Sequence, residues 1–222
     1  MGGFIGSRYC GYQVQRRQAY RGLSLLQTRR RGSHIVGMPQ AANDWTVERV
    51  LALPDDGRRH EVVDGQLLVS PSPEFRHQEA VLALATTLRE YVRTHDIGIV
   101  SIAPADIELD ERTLVQPDVF VFEAPGGRAP RHWREVRTLL LAIEVLSPST
   151  ARSDRQIKRL RYQRQGIPEY WIVDLDSRLV ERWRPQDQRP EVLHDTIEWI
   201  PRVGRPSLTI DLQALFKAIL ER

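Results

Sequence analysis

Two stretches decide the fold of this chain: VQPDVFVF at residues 115–122 and LLLAIEVLS at residues 139–147. Each is a short apolar run of the kind that forms a buried strand. Each also contains one acidic residue, Asp118 in the first stretch and Glu144 in the second. A carboxylate that loses its hydration inside a sheet is strongly destabilising unless a cation or hydrogen-bond donors compensate it. The sequence therefore predicts a partner for both carboxylates.

Charge is distributed unevenly along the 222 residues of the chain, whose formal net charge is +3. Residues 1–37 contain seven arginines and no Asp, Glu or Lys. Residues 38–222 therefore carry 25 basic and 29 acidic residues, a net charge of −4. By net charge this body does not indicate nucleic-acid binding, and any such contact would need a local basic patch.

Residues 1–37 lack strand or helix periodicity, and three interpretations of this basic leader stay open. Met38 precedes a helix-start pattern, so the favoured prediction is that translation begins near Met38 and that the leader is a start-site artefact. The second interpretation is a disordered basic arm that binds nucleic acid. The third is a transit peptide, which is also rich in arginine and poor in acidic residues.

The single cysteine, Cys10, lies in the leader, so residues 38–222 contain no disulfide, cysteine nucleophile or cysteine metal ligand. No apolar run approaches the roughly 18 residues that span a bilayer, and the most apolar one is interrupted by Glu144. We therefore expect one cytoplasmic domain without membrane contact.

The pattern after the leader alternates between β-rich runs and helical spacing. Asp64-Gly65 lies between two β-rich runs, which predicts a hairpin. Apolar residues recur at helical spacing over residues 74–95, and a second helix is predicted over residues 151–165, ending at Gly166. Further strands are predicted at residues 99–109, 115–122, 139–146, 169–175 and 178–185. The expected fold class is α/β, with a mixed central sheet flanked by helices and an N-terminal β-hairpin.

The two acidic residues have different settings. Asp118 follows Pro117, which cannot donate to a sheet ladder, so Asp118 is expected at the beginning of its strand, where it can reach a cleft. A turn-capping aspartate is the alternative. Glu144 has apolar residues on both sides, which predicts an interior strand. Its partner is then either an arginine or a hard divalent cation such as Mg²⁺.

Lys158 is one of only two lysines in a chain that contains 30 arginines. It lies in the helix after the Glu144 strand, and Asp154 and Tyr162 share its helix face. The alternative is an ordinary surface pair between Asp154 and Lys158. Two acids on neighbouring strands and a lysine near both fit metal-assisted phosphodiester cleavage, in which the lysine orients the nucleophile or neutralises developing charge.

The chain resembles the Uma family of putative restriction endonucleases, within the PD-(D/E)XK nuclease superfamily. The motifs that carry the resemblance are HEVVDG (60–65), SPEFRH (72–77), QPD (116–118), EVLSPST (144–150) and GIPEYWIVD (166–174), together with Asp154, Lys158 and Tyr162. The resemblance runs from about residue 44 to residue 216 and covers none of the leader. It implies a restriction-endonuclease-like domain over residues 38–222.

This resemblance also implies a site. Asp118, Glu144 and the main-chain carbonyl of Val145 would bind Mg²⁺ or Mn²⁺, and Glu61 in the hairpin would be an additional acid. DNA would be the substrate. Cleavage of both strands needs two such sites, which is compatible with a homodimer.

The lysine position departs from the superfamily pattern. The superfamily's lysine usually stands two residues after the glutamate, where this chain has Leu146. The resemblance then implies that Lys158, on the following helix, has taken over the role. His77, near a helix start, either contacts phosphate and transfers protons or has a capping or packing role.

The predicted function is a Mg²⁺-dependent endonuclease that hydrolyses DNA phosphodiester bonds through Asp118, Glu144, Glu61 and Lys158. The alternative is a catalytically inactive nuclease fold that binds nucleic acid or a protein partner. That alternative predicts a side-chain cation paired with Glu144 and no metal affinity. A third hypothesis is a metal-dependent hydrolase that acts on another substrate through a narrower pocket.

Overall fold

The structure, a computed structural model, describes residues 44–124, 127–136 and 138–221. All three interpretations of the leader concern residues outside these ranges, so a domain boundary at residue 38 stays a prediction. None of the helices in the described ranges is long and apolar enough to cross a membrane.

The described residues form three sheets. The strands are β1 Arg59–Val63, β2 Gln66–Ser70, β3 Ile99–Ile102, β4 Ile107–Asp110, β5 Thr113–Val115, β6 Val119–Phe122, β7 Leu139–Val145, β8 Glu169–Asp174, β9 Leu179–Trp183, β10 Glu191–Leu193, β11 Thr196–Trp199 and β12 Leu208–Asp211. The central sheet has six strands in the order β10-β9-β8-β7-β6-β3, and a second sheet has the order β2-β1-β5-β4. Strands β11 and β12 form a separate pair. In the central sheet β7 and β8 are parallel and the other neighbours are antiparallel, so the predicted mixed sheet is confirmed.

Helix α1, Val47–Leu51, packs on the second sheet. The helices that flank the central sheet are α2 Phe75–Thr94, α3 Ala151–Ser153, α4 Arg159–Gln165 and α5 Leu212–Leu220. A π-helical turn, Asp154–Lys158, joins α3 to α4 without a break, and we call residues 151–165 the site helix. The site helix ends at Gly166, whose φ of 74° is the left-handed conformation predicted for this position.

The hairpin prediction is confirmed, because Asp64 and Gly65 connect β1 and β2 with φ angles of 50° and 83°. The predictions of one strand over residues 99–109 and of one strand over residues 115–122 are wrong. The first stretch forms β3 in the central sheet and β4 in the second sheet, and the second stretch is divided between β5 in the second sheet and β6 in the central sheet. Pro104 lies between β3 and β4 and has no N–H to continue a ladder, and Pro117 separates β5 from β6 in the same way. The chain therefore passes from the central sheet to the second sheet at Pro104 and returns at Pro117, and Asp118 directly follows this return.

Each face of the central sheet packs against a different layer. On one face, α2 and α5 cover the sheet residues Val119, Val121, Ile143 and Trp171. On the other face, the site helix and the second sheet cover Phe120, Ala142, Tyr170 and Ile172. All seven residues of β7 are buried, as predicted for an interior strand. Since side chains alternate along a strand, Glu144 shares the second face with Ala142 and is enclosed between the central sheet, the site helix and the second sheet.

Candidate metal centre

The fold brings Asp118 and Glu144 together at one end of two neighbouring strands. Val119 in β6 pairs with Ile143 in β7, and the two strands are antiparallel. The residue before Val119, which is Asp118, therefore lies opposite the residue after Ile143, which is Glu144. Directly opposed side chains on antiparallel strands lie on the same face of the sheet, a few ångströms apart. Asp118 is 3% exposed and Glu144 is 1% exposed. The two acidic residues predicted from the sequence thus form one buried site.

Asp118 is held by three donors. Arg59 Nη1 donates to Oδ1 at 2.7 Å, the main-chain N–H of Val145 donates to Oδ2 at 2.9 Å, and His77 Nε2 lies 3.0 Å from Oδ2. Burial alone would raise the pKa of Asp118, but the hydrogen bond with His77 and the charge of Arg59 outweigh it and hold the pKa below its usual value. Asp118 is therefore an ionised carboxylate.

Lys158 lies among three buried carboxylates. Its Nζ is 2.8 Å from Glu61 Oε2, 3.0 Å from Glu144 Oε1 and 3.5 Å from Asp154 Oδ1. The surface pair considered for Asp154 and Lys158 is wrong, because both side chains are 1% exposed. Burial alone would lower the pKa of Lys158, but the charges of Glu144 and Glu61 outweigh it and raise the pKa above its usual value. Lys158 is therefore a permanent cation at neutral pH.

Glu144 is the least compensated of these acids. Its Oε1 accepts hydrogen bonds from Lys158 and, at 3.3 Å, from the hydroxyl of Tyr162. Its Oε2 is buried and has no hydrogen-bond partner among the described residues. Burial, followed by the charges of Asp118 and Asp154, raises the pKa of Glu144 well above its usual value, which Lys158 offsets only in part.

The second sheet supplies the outer wall of the site. Glu61 Oε1 accepts the main-chain N–H of Gln116 at 2.8 Å, which fixes the hairpin acid next to the QPD motif. Arg59 lies two residues before Glu61 on the same strand, and its Nε is 3.8 Å from Glu61 Oε2. The π-helical turn completes the opposite wall and ends at Lys158. Such turns are rare in proteins, and those that occur are often found at functional sites.

The composition of the site fits a divalent cation. Four carboxylates (Glu61, Asp118, Glu144 and Asp154) lie against two permanent cations (Arg59 and Lys158). Within the described ranges no group of three or more His, Cys, Asp or Glu side chains has a geometry that could hold a metal ion. Mg²⁺, however, is usually held by one or two carboxylates plus water and substrate phosphate, so a pair of acids is sufficient. The unpartnered Oε2 of Glu144 and the oxygens of Asp118 are suitable metal-ligand atoms. Coordination of the metal by the Val145 carbonyl stays a prediction.

The structure brings together the four residues that were predicted as a site, Asp118, Glu144, Glu61 and Lys158, and their catalytic and metal-binding roles stay predictions. Arg59 was missed. Its signal was the two-residue spacing to Glu61 within a predicted strand, because residues i and i+2 share a face.

The mixed sheet with helices on both faces, and with acids at the ends of adjacent strands, defines a nuclease-like α/β fold. A family model for Uma2, described as "Putative restriction endonuclease", matches residues 47–213, so the chain belongs to this family. A crystal structure of a putative nuclease belonging to DUF820 from Anabaena variabilis has the same fold, with a TM-score of 0.67 and 20% sequence identity. The similarity covers 79% of this chain and 99% of that one. No curated protein matches the chain.

Proposed function

We propose that this protein is a divalent-metal-dependent endonuclease that hydrolyses phosphodiester bonds of DNA, with Mg²⁺ or Mn²⁺ as its cofactor. The observation that carries the proposal is the excess of buried carboxylates over permanent cations at the junction of two sheets. A buried site with two uncompensated negative charges is destabilising unless it takes up protons or a cation. One divalent ion supplies the missing charge.

Each residue has a separate role in this proposal. Asp118 and Glu144 hold the ion, and the Val145 carbonyl is the third proposed protein ligand. When bound, the ion supplies a water of lowered pKa and offsets negative charge on the reacting phosphate. Lys158 keeps its proton at neutral pH, so its role is to orient the nucleophile and stabilise charge and not to act as a base. Glu61 fixes the position of Lys158.

The inactive-fold alternative is favoured by one observation. Lys158 is paired with Glu144 at 3.0 Å, which is the side-chain cation that this alternative predicts for the glutamate. Such a protein would bind nucleic acid or a protein partner without hydrolysis. The two functions differ in metal affinity, because a site closed by Lys158 would not bind a divalent ion.

Metal titration and plasmid cleavage distinguish the two functions. Mn²⁺ is titrated calorimetrically into the full chain, and supercoiled plasmid is incubated with the same samples. The variants Asp118→Asn and Glu144→Gln keep the side-chain shape and remove the charge, and Asp176→Asn, at an exposed turn position, is the matched control. We expect both site variants to lose metal binding and nicking while the control retains both. Wild-type protein that neither binds Mn²⁺ nor nicks plasmid would refute the nuclease and favour the inactive fold.

The form of the plasmid that the same assay produces tests whether the protein cleaves as a monomer or as a dimer. A single site nicks one strand, whereas linear plasmid as the first product requires two sites acting together. We propose a homodimer for the cleaving species, and sedimentation of the protein with and without a duplex oligonucleotide tests it. A monomer that linearises plasmid in one binding event would contradict this part of the proposal.

A further inference from the structure

We propose that Arg59 is an exchangeable cation: its guanidinium occupies Asp118 in the metal-free protein, and a divalent ion displaces it toward the substrate phosphate. This inference rests on the proposed function, because it assigns a second state to the same site. It adds a substrate-binding residue outside the predicted set of acids and lysine. It also makes metal binding and phosphate binding dependent on each other.

The contacts of Arg59 are those of a competitor for the metal position. Its Nη1 is 2.7 Å from Asp118 Oδ1 and 3.2 Å from the main-chain carbonyl of Gln116. Glu61 and Glu144 also act electrostatically on the guanidinium, and together with Asp118 they raise its pKa despite its burial. A cation that already neutralises Asp118 must move, or share its carboxylate, when a divalent ion binds there.

Arg59 and Lys158 differ in their freedom to move. The side chain of Lys158 is 1% exposed and lies within 3.5 Å of three carboxylates, whereas that of Arg59 is 19% exposed and makes its short ion pair with one. Lys158 is therefore enclosed, whereas part of the Arg59 side chain is exposed to solvent. A guanidinium is also the side-chain cation whose planar fork matches phosphate oxygens.

The exchange predicts that removal of the Arg59 guanidinium has opposite effects on metal binding and on DNA binding. Removing the guanidinium removes a competing cation, so it should strengthen divalent-metal binding at Asp118. It also removes the phosphate contact, so it should weaken DNA binding once metal is present. A purely structural arginine would instead weaken both, because its loss would loosen the site.

The first measurement is calorimetric titration of Mn²⁺ into wild-type protein, Arg59→Gln and Arg59→Lys. Arg58→Gln is the matched control, since Arg58 is the adjacent arginine and is 64% exposed. We expect the Mn²⁺ dissociation constant of Arg59→Gln to fall by at least about tenfold, which corresponds to about 1.4 kcal/mol. Arg59→Lys, which keeps a cation, and Arg58→Gln should stay close to wild type. Thermal melts with and without Mn²⁺ establish that each variant is folded, and Arg59→Gln should gain the largest stabilisation from the ion.

The second measurement is fluorescence anisotropy of a labelled duplex oligonucleotide, in EDTA and in Ca²⁺. In EDTA the guanidinium is engaged by Asp118, so wild type and Arg59→Gln should bind the duplex equally. In Ca²⁺ we expect Arg59→Gln to bind about tenfold more weakly than wild type, at one fixed salt concentration. An equal loss in both conditions would overturn the exchange.

The outcomes separate this inference from the proposed function. Wild type that binds Mn²⁺, with unchanged or weaker binding in Arg59→Gln, overturns the exchange and leaves the nuclease proposal standing. Tighter binding in Arg59→Gln without plasmid nicking by wild type supports the exchange and refutes the nuclease. Absence of Mn²⁺ binding in wild type and in both Arg59 variants overturns both.

Discussion

Replacement of Lys158 by methionine is the most severe single change that the site predicts. Methionine keeps much of the length of the side chain and removes the charge. It leaves Glu61, Glu144 and Asp154 without the ammonium that lies within 3.5 Å of each of them. All four side chains are 1% exposed, so water cannot replace the lost cation without opening the site.

The magnitude follows from the burial of the partners. Removing one member of a buried ion pair destabilises a protein by about 3–5 kcal/mol, because the remaining charge stays desolvated. Three partners are affected here, so we expect the loss for Lys158→Met to lie at or above the upper end of that range at pH 7. This is a large fraction of the roughly 5–15 kcal/mol that holds a typical domain folded.

Lower pH should relieve part of this loss. Burial is the largest cause that raises the pKa values of Glu144 and Asp154 above their usual values of 4.5 and 3.8. Their folded forms therefore take up protons at a pH where the unfolded forms are still ionised. Since the folded state then binds more protons than the unfolded state, this contribution to stability grows as the pH falls from 7 toward 5. Without Lys158 the effect should be larger than in wild type.

Urea unfolding followed by circular dichroism at pH 7 and pH 5 measures both quantities. The matched control is Lys217→Met, which changes the other lysine of the chain at an exposed position of α5 and should shift stability by less than about 0.5 kcal/mol. A loss below about 1 kcal/mol for Lys158→Met, or an equal loss at both pH values, would refute the buried, charge-dense site.

Three other changes test the surroundings of the site. Arg161 on the site helix donates a hydrogen bond to Asp110 in the second sheet at 2.6 Å. Arg161→Ala should therefore lower the free energy of unfolding by about 1.5 kcal/mol or more, and Arg161→Lys should recover part of this loss. Equal urea midpoints for Arg161→Ala and wild type would contradict this contact. A Cβ on Gly98 would lie 2.2 Å from the carbonyl oxygen of Phe122. Gly98→Ala should therefore lower the melting temperature and reduce the free energy of unfolding by at least about 2 kcal/mol. An unchanged melting temperature would be evidence against this close approach. The lowered pKa of Asp118 stabilises the folded state at pH values above the usual pKa of 3.8, and this stabilisation is lost as the pH falls through the pKa of the folded state. Asp118→Asn should therefore flatten the dependence of the urea midpoint on pH between pH 5 and pH 3. Parallel pH profiles of the urea midpoint for Asp118→Asn and wild type would contradict this expectation.

The sequence was sufficient where local patterns carry long-range information. The run at residues 139–146 is apolar on both sides of Glu144, which predicted an interior strand and therefore a partner for the glutamate. Pro117 cannot donate to a sheet ladder, which placed Asp118 at the beginning of a strand, although the division of residues 115–122 between two sheets was not predicted. The helical spacing of residues 151–165 put Lys158 on the same face as Asp154 and Tyr162. These three inferences define most of the site before any coordinates are known.

What could not be predicted depends on contacts between distant segments. The run at residues 99–109 reads as one strand, and only the packing of two sheets decides that it divides at Pro104. The π-helical turn at Asp154–Lys158 has no local sequence signature that the pattern could reveal. Strand β11 was not predicted, although Ile197 and Trp199 alternate with polar residues. This alternation is typical of a strand, but it extends over only four residues.

The separation of the site residues along the chain sets an order for synthesis. Arg59 and Glu61 leave the ribosome almost one hundred positions before Lys158, and Asp118 and Glu144 follow between them. Until the lysine arrives, the four site carboxylates of the nascent chain have one site arginine, Arg59, to neutralise them, and their mutual repulsion opposes early closure of the site. The site helix, the last of the segments that supply these site residues, therefore brings the cation that reduces this repulsion. A ribosome-bound fragment that ends before residue 158 is expected to keep these acids in water, and the buried cluster forms only when the site helix docks.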